Sequence, residues 1–247
     1  MSEWVTRFPW LRAGTTRRTD AGSDAGPLGS GVGSGIPDAM ADPGVPPLQD
    51  MLALTAGAGW RWRSVVRSRQ VHGSLTRAHV DVPEGAIVVG EADGHVTARP
   101  GVLLTVTTAD CVPVFVADPL RGVVGLLHAG WRGVVAGVVE EGIGVMRASF
   151  GSSPGDLSVH LGPAICGGCY EVGPEVLQAL GERTRAGSAL VDLRRVIERR
   201  ATASGVSPGR VGVSTECTLC GDGRYFSHRR GDIGRQRAFI GILADLD

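Results

Sequence analysis

Lysine and asparagine are absent from the 247-residue sequence, so all 25 basic side chains are arginine. They are balanced by 25 acidic side chains, which gives a formal net charge of zero. A neutral chain offers no bulk basic surface to nucleic acid or to an anionic membrane. No apolar run approaches the roughly 20 residues that a bilayer-spanning helix needs. We therefore expect neither nucleic acid nor a membrane as a partner.

Cysteine is also scarce, and its pattern bears on the cellular compartment. Five cysteines at irregular spacing are an odd number, unlike the even framework of a small secreted disulfide protein. The first residues lack the basic start and apolar core of a secretory signal. Together these features predict a reduced, cytoplasmic protein.

The remaining composition is that of an ordinary globular enzyme, with 43% hydrophobic and 20% charged residues. Strand and helix patterns along the chain predict one domain over residues 1–247, of mixed α and β structure. A hairpin is predicted from strands at 60–71 and 75–82, and one long helix at 131–150. Residues 20–47 are rich in Gly, Pro and Ser and predict a mobile loop, either a lid or a connection without a role.

Residues 107–133 carry the strongest chemical signal, with the sequence TTADCVPVFVADPLRGVVGLLHAGWRG. Two apolar, β-branched segments at 112–117 and 123–127 flank a short turn and predict an antiparallel hairpin. Cys111 precedes the first strand and His128 follows the second, so the hairpin brings thiol and imidazole side by side. That pair suits zinc or copper, or a Cys–His nucleophile.

His72 occupies a comparable place, because it follows a predicted strand and precedes a glycine. His72, Cys111 and His128 are three nitrogen and sulfur ligands from separate elements, with no fourth. A catalytic zinc typically has three protein ligands and one open position. The alternative is that each is a buried side chain with its hydrogen bonds satisfied. We predict a metal site.

Carboxylates and arginines next to these motifs are candidates for catalysis and substrate binding. Asp93 and Asp110 could orient a ligand imidazole or act as general acid and base, although an Asp beside Gly can simply form a turn. Arg132 lies in the first turn of a predicted helix, where anions are favoured. Arg229 and Arg230 could bind phosphate, or could belong to a solvated charged surface.

The other four cysteines form two pairs, Cys166-x-x-Cys169 and Cys217-x-x-Cys220. The spacing within each pair fits a four-thiolate structural zinc. Nothing in the sequence shows that the two pairs meet. The sequence favours two other interpretations of these residues: buried apolar cysteines, or a cysteine that lines the active site.

Seven short motifs from about residue 62 onward occur in an order that resembles the laccase-domain family, also called multicopper polyphenol oxidoreductases. They are RQVHG at 69–73, EAD at 91–93, TADCVPV at 108–114, HAGWRG at 128–133, GPAI at 162–165, CYEVG at 169–173 and FSHRR at 226–230. The resemblance implies the laccase-domain fold, a single α/β (mixed α+β) domain with a β-sheet core flanked by helices. It also implies a zinc held by His72, Cys111 and His128. The N-terminal fifth departs from the family pattern, since residues 20–47 are Gly/Pro-rich.

The activity that the resemblance implies is purine nucleoside metabolism. It comprises phosphorolysis of adenosine, inosine and methylthioadenosine, together with deamination of adenosine. In this hypothesis Asp93 shuttles protons during deamination, and phosphate binds near Arg132, Arg229 and Arg230. Zn2+ is the expected cofactor, with copper as an alternative.

Two other functions stay open at this point. One is a metal-free hydrolase or amidase with Cys111 as nucleophile and His128 as base. The other is a copper-dependent polyphenol oxidase. The six histidines, at positions 72, 79, 95, 128, 160 and 228, contain no pair separated by one residue. Coupled copper clusters need such ligands in number, so this chain cannot build a multicopper site alone.

Overall fold

Two β-sheets packed face to face form the centre of the computed structural model, which describes residues 7–18, 51, 59–183 and 187–244. One sheet has five strands, in the spatial order β1 (Leu11–Thr15), β13 (Gln236–Ile242), β6 (Val102–Thr108), β2 (Ser64–Arg69) and β4 (Gly85–Glu91). The other has six, in the order β12 (Val211–Val213), β9 (Ser158–Leu161), β7 (Val112–Asp118), β8 (Val123–Ala129), β5 (Gly94–Thr97) and β3 (Thr76–His79). A separate short pair consists of β10 (Glu171–Val172) and β11 (Ala189–Leu190).

Helices cover the outer face of the six-stranded sheet. They are α1 (Trp131–Ala136), α2 (Val138–Phe150), α3 (Pro174–Leu180) and α4 (Leu193–Ala203), with 3₁₀ turns at Pro154–Asp156 and Pro208–Arg210. No helix within the described part of the chain combines the length and apolarity required to cross a membrane.

Alternation along β7 divides the interior into two apolar layers. Val114 and Val116 pack with the helices, whereas Phe115 and Ala117 pack against the five-stranded sheet. Every residue of β7 is buried, because successive side chains point to opposite faces and both faces are covered. The same alternation along β8 puts His128 on the face that looks toward the five-stranded sheet, one residue before the strand ends at Ala129.

The mixed α+β class and the central hairpin predicted from the sequence are confirmed. β7 pairs antiparallel with β8, and Pro113 lies opposite His128. The predicted loop over residues 20–47 lies outside the described residues.

Two predicted elements are wrong. β2 and β3 do not form a hairpin, since they belong to different sheets and each pairs in parallel with other strands. The chain instead crosses between the sheets after residue 69, and His72 lies in that crossing. The single helix predicted over 131–150 is two helices, because Gly137 adopts a left-handed backbone with φ of +88° that an α-helix cannot contain.

Candidate metal centre

His72, Cys111 and His128 come together at one end of the two sheets. One ligand atom from each lies within 4.8 Å of the others. The two imidazole rings meet edge to face, with centroids 4.7 Å apart. His128 is buried, Cys111 is half-buried and His72 is exposed, so the open side of this His–Cys–His centre faces solvent.

Two residues have strained backbone here: the ligand His72, and Asp110, which precedes the ligand Cys111. His72 has φ of +58° and Asp110, next to Cys111, has φ of +84°. Left-handed backbone is uncommon for residues other than glycine, and it persists where the surroundings hold it in place. In both positions a tight reversal of the chain directs a ligand side chain toward the common point.

Asp93 holds two of the three ligands in position. Its carboxylate accepts backbone N–H groups from Val71, His72 and Gly73 at 3.2, 3.0 and 2.8 Å, and thereby fixes the reversal at His72. It also accepts Nδ1–H of His128 at 2.8 Å. Since Nδ1 is occupied in this way, Nε2 is the nitrogen of His128 that is available to the centre. A carboxylate that orients a ligand imidazole is the usual second layer of a protein zinc site.

Electrostatics in the centre favour a thiolate. Burial alone would raise the pKa of Cys111, but the charge of His128 and hydrogen bonds from both imidazoles lower it to about 6. Burial alone would lower the pKa of His128, but the Cys111 thiolate and Asp93 raise it to about 9. The pKa of Asp93 is lowered, because the hydrogen bonds from His128 and Gly73 outweigh the effect of its burial. The metal-free centre is therefore a thiolate beside an imidazolium.

Two glycines permit this close approach of chain segments. A Cβ atom at Gly130 would lie 2.9 Å from Cys111 Sγ and 3.1 Å from His72 Cδ2. A Cβ atom at Gly133 would lie 2.9 Å from the carbonyl oxygen of Gly73. The two distances of 2.9 Å are shorter than a Cβ contact allows, so the HAGWRG segment needs glycine at both positions for steric reasons.

A cleft of about 780 Å³ opens over the centre between the two sheets. Pockets for small ligands are typically of this size. The side chain of Gln70 closes one wall, because it both donates to the Thr107 carbonyl at 2.8 Å and accepts the Thr107 N–H at 2.7 Å. The cleft is lined by Gln70, His72, Thr107, Thr108, Ala109, Cys111, His128, Arg132, His228, Asp232, Ile233 and Arg235.

The predicted arginines occupy three different settings. Arg132 lines the cleft, and its guanidinium lies over the Trp131 ring. The Arg229 guanidinium lies over the Tyr170 ring and donates to the Glu171 carbonyl at 2.9 Å.

Arg230 does not line the cleft, because its guanidinium is bound by neighbouring groups. Its guanidinium binds Asp232 and three backbone carbonyls, those of Thr218, Leu219 and Tyr225. Such a fully engaged guanidinium positions a loop. Arg235 and His228 line the cleft, and Nη1 of Arg235 also donates to the carbonyls of Asp232, Ile233 and Gly234. Neither residue was predicted from the sequence as part of the site, although both lie within or near the FSHRR segment.

Asp110 is likewise a structural link. Its carboxylate accepts Thr218 Oγ1–H at 2.6 Å and the backbone N–H of Arg229 at 2.7 Å. Its side chain thus joins the strand end that carries Cys111 to two distant loops. This arrangement favours an orienting role over acid–base catalysis, the two possibilities that the sequence left open.

The donor set fits a single metal ion. A soft thiolate with two imidazoles, one of them oriented by a carboxylate, suits zinc and also mononuclear copper. Within the described ranges, the metal-ligand groupings are this centre and a cluster of four cysteines.

Comparisons with known proteins agree with the fold and the motifs. A family model described as multi-copper polyphenol oxidoreductase laccase matches residues 48–243. The crystal structure of YlmD from Geobacillus stearothermophilus superposes with a TM-score of 0.79 at 30% identity, covering 96% of this chain and 93% of that one.

Two curated relatives have names that describe enzymes of purine nucleosides. A purine nucleoside phosphorylase of Deinococcus radiodurans is 36% identical over 214 residues, which cover 83% of this chain and 81% of that protein. The adenosine deaminase RL5, from an unknown prokaryotic organism, is 30% identical over 222 residues, covering 83% of this chain and 84% of that protein. The chain therefore belongs to the multi-copper polyphenol oxidoreductase laccase family.

Proposed function

We propose that this protein is a zinc-dependent purine nucleoside phosphorylase that also deaminates adenosine. The observation that carries the proposal is the His–Cys–His centre at the floor of a cleft of small-ligand size. The names of the Deinococcus and RL5 relatives support the substrate class. His72, Cys111 and His128 would hold the ion. When bound, zinc supplies Lewis acidity and a water molecule whose pKa is near neutrality.

Asp93 acts in this proposal as a positioning residue. Its carboxylate is fully buried and already accepts three backbone N–H groups and the His128 ring. A group so enclosed has no path to exchange protons with a substrate in the cleft. It instead keeps His128 in the tautomer that presents Nε2 and holds His72 in its strained turn.

Phosphate binding falls first to Arg132, which lines the cleft. Arg235 also lines the cleft and has a secondary part, because its Nη1 already donates to three backbone carbonyls. In phosphorolysis a phosphate oxygen forms a bond to C1′ of the ribose as the bond from C1′ to the purine nitrogen breaks. The sugar carries positive charge in the transition state, so a phosphate held beside it stabilises that state. The guanidinium groups take no part in the bond changes; they bind the phosphate and orient it for attack.

The departing purine needs a proton. His228 lines the cleft and is exposed, which makes it the side chain that we assign to deliver this proton to the base. Asp232 also lines the cleft, but its carboxylate is already bound by Arg18 and Arg230.

The test is a product analysis with protein purified without added metal. Adenosine, inosine and methylthioadenosine are each incubated with and without inorganic phosphate, and the metal content is measured on the same sample. We expect free base and (thio)ribose 1-phosphate only when phosphate is present, and inosine from adenosine in either condition. Stoichiometric zinc with no turnover of any of the three nucleosides would contradict the proposal.

Arg132→Ala separates the two activities. We expect KM for phosphate to rise about 10-fold or more, because a charge-assisted contact is lost, while deamination without phosphate is retained. Arg195→Ala is the matched control, since this arginine lies on α4 with its side chain 79% exposed. An equal loss in both activities would assign Arg132 to the nucleoside subsite instead of the phosphate subsite.

A second function has geometric support. Cys111, His128 and Asp93 stand in the order nucleophile, base and orienting carboxylate that a Cys–His hydrolase or amidase uses. The discriminating measurement is alkylation of Cys111 in chelator-treated protein, followed by reconstitution with zinc. A hydrolase that works without metal is active in the chelated state and is silenced by alkylation. The copper-dependent phenol oxidase is tested separately, by oxygen uptake with a phenol after loading with copper.

A further inference from the structure

Two cysteine turns meet near the cleft, although Cys166 and Cys217 are 51 residues apart in sequence. Their four Sγ atoms, from Cys166, Cys169, Cys217 and Cys220, all lie within 4.8 Å of one another. The Sγ atoms of Cys166 and Cys220 are 3.8 Å apart. The sequence alone did not show that the pairs approach each other. The nucleoside activity proposed above makes no use of them.

The spacing of the sulfurs is that of a tetrahedral metal site. A zinc–sulfur bond of about 2.3 Å in a tetrahedron implies sulfur–sulfur separations of about 3.8 Å. A disulfide would instead require about 2.05 Å. All of these cysteines are free thiols. Their arrangement matches a shared ion better than covalent pairing.

The backbone of both turns is shaped to face a common point. The N–H of Cys169 and that of Tyr170 both donate to the Cys166 carbonyl, at 2.9 and 3.0 Å, which closes the first turn. In the second turn, a Cβ atom at Gly221 would lie 2.4 Å from the Cys217 carbonyl oxygen, so glycine is required after Cys220. Each C-x-x-C segment therefore presents its two sulfurs from one tight loop.

Backbone N–H groups also point at sulfur. Those of Cys166 and Cys220 approach Cys217 Sγ at 3.3 and 3.4 Å. Hydrogen bonds of this kind favour the anionic form of an acceptor, and thiolate is the form that binds metal. A backbone bridge between Ala164 and Cys217 places the two turns side by side.

We propose that Cys166, Cys169, Cys217 and Cys220 bind a second metal ion, a structural zinc with four thiolate ligands and no open position. Its function is to fasten together the two loops that contact Asp110 and Arg229, next to the residues that carry the first centre. Thr218, inside the second turn, donates to Asp110. Tyr170, directly after the first turn, carries the Arg229 guanidinium on its ring.

The experiment counts metal ions per chain in the purified full-length protein and in two variants. Wild-type protein should contain two equivalents of metal. Cys111→Ala should contain one, and the double variant Cys166→Ser with Cys220→Ser should also contain one. A wild-type protein with one equivalent that Cys111→Ala removes completely would overturn the proposal, as would two equivalents in the double variant.

Spectroscopy of the Cys111→Ala variant makes the test independent of whether the double variant folds. After Cys111→Ala has emptied the first centre, X-ray absorption at the zinc edge should show a shell of sulfur alone near 2.3 Å. Nitrogen or oxygen ligands in that shell would overturn the four-thiolate assignment. Thiol titration of unfolded, unreduced, metal-stripped wild-type protein should find all five cysteines free, and a deficit of two or four would assign the cluster to disulfide chemistry.

Discussion

The His–Cys–His centre and the four-cysteine cluster are both sulfur-containing sites, yet they are built in opposite ways. The first takes one side chain from each of three distant segments, includes a residue in left-handed backbone and leaves a side facing the cleft. The second takes all its sulfurs from two tight turns. A catalytic metal needs an open position for a reactant, and a structural metal is stable when its coordination is complete.

The groups that support the two sites differ as well. The centre has Asp93 and Asp110 as supporting carboxylates, whereas the hydrogen bonds to sulfur in the cluster come from the backbone of its own turns. Changes at the centre should therefore affect chemistry first, and changes at the cluster should affect stability first. The following predictions test that division.

Loss of Cys111 should have the largest effect. In Cys111→Ala we expect one equivalent of metal to be lost and nucleoside turnover to fall to background, because two imidazoles alone hold zinc weakly. The far-UV circular dichroism spectrum should be unchanged. Elemental analysis and the nucleoside assay provide the measurement, and a variant that keeps its full metal content would refute the ligand role.

The reactivity of Cys111 should depend on pH in a distinctive way once metal is removed. Because its neighbours lower the pKa of the thiol to about 6 from an ordinary value of 9.0, alkylation should be half-maximal near pH 6. Below that pH the thiol is protonated and the reaction slows; above it the thiolate persists. Peptide-resolved mass spectrometry after iodoacetamide treatment measures the rate for this cysteine alone.

Two controls accompany the alkylation profile. In urea-unfolded protein the midpoint should move to near 9.0, the ordinary value for the thiol. Added zinc should protect Cys111 in the folded protein. A folded-state midpoint as high as that of the unfolded chain would contradict the thiolate–imidazolium pair.

Asp93→Asn should weaken the first centre and leave the second intact. The carboxylate accepts four N–H groups, and an amide has one acceptor oxygen for them. We expect metal affinity to fall about 10- to 100-fold, as is typical for partners that orient metal ligands. Competition with a chelator measures it. Asp156→Asn, which removes a partly exposed pairing with Arg121, is the control and should change nothing; equal losses in both would rule out a specific role for Asp93.

The smallest effects are expected for Gly130→Ala and Gly144→Ala. Their changes in the free energy of unfolding should have opposite signs. A Cβ atom at Gly130 presses on Cys111 and His72, and such overpacking costs about 1–3 kcal/mol. A Cβ atom at Gly144 meets nothing within 4 Å, so alanine in this helix should stabilise by about 0.5–1 kcal/mol. Urea unfolding of the metal-loaded proteins gives both values, and destabilisation of equal size at the two glycines would contradict the steric argument.

Some of the site could be predicted from the sequence because it depends on local pairing. A short turn between two continuous apolar runs specifies the hairpin of β7 and β8, and its register brings Cys111 beside His128. The role of these residues and of His72 as metal ligands stays a prediction. The position of His72 itself could not be obtained from a local pattern. It lies in a crossing between two sheets, where the sequence suggested a simple hairpin.

The sequence shows where the arginines are in the chain, but it does not show which of their side chains reach the cleft. Arg230 and Arg235 are five residues apart and look alike in the chain. The Arg230 guanidinium is bound by Asp232 and by carbonyls of other loops, whereas the Arg235 guanidinium lines the cleft and donates to the carbonyls of Asp232, Ile233 and Gly234 in its own turn. Which of them lines the cleft depends on the path of the loop, and that path is held by contacts with Asp110 and Thr218, more than a hundred residues apart in sequence.

The sequence by itself determined the ligand types, the spacing within each cysteine pair and the family, since these are properties of short segments. The tertiary structure decided which segments meet: the two cysteine turns, the crossing that carries His72, and the end of the two sheets where the cleft opens. The physical reason is that contacts between distant segments are selected by burial of the two apolar layers as a whole. No single stretch of the chain contains that information.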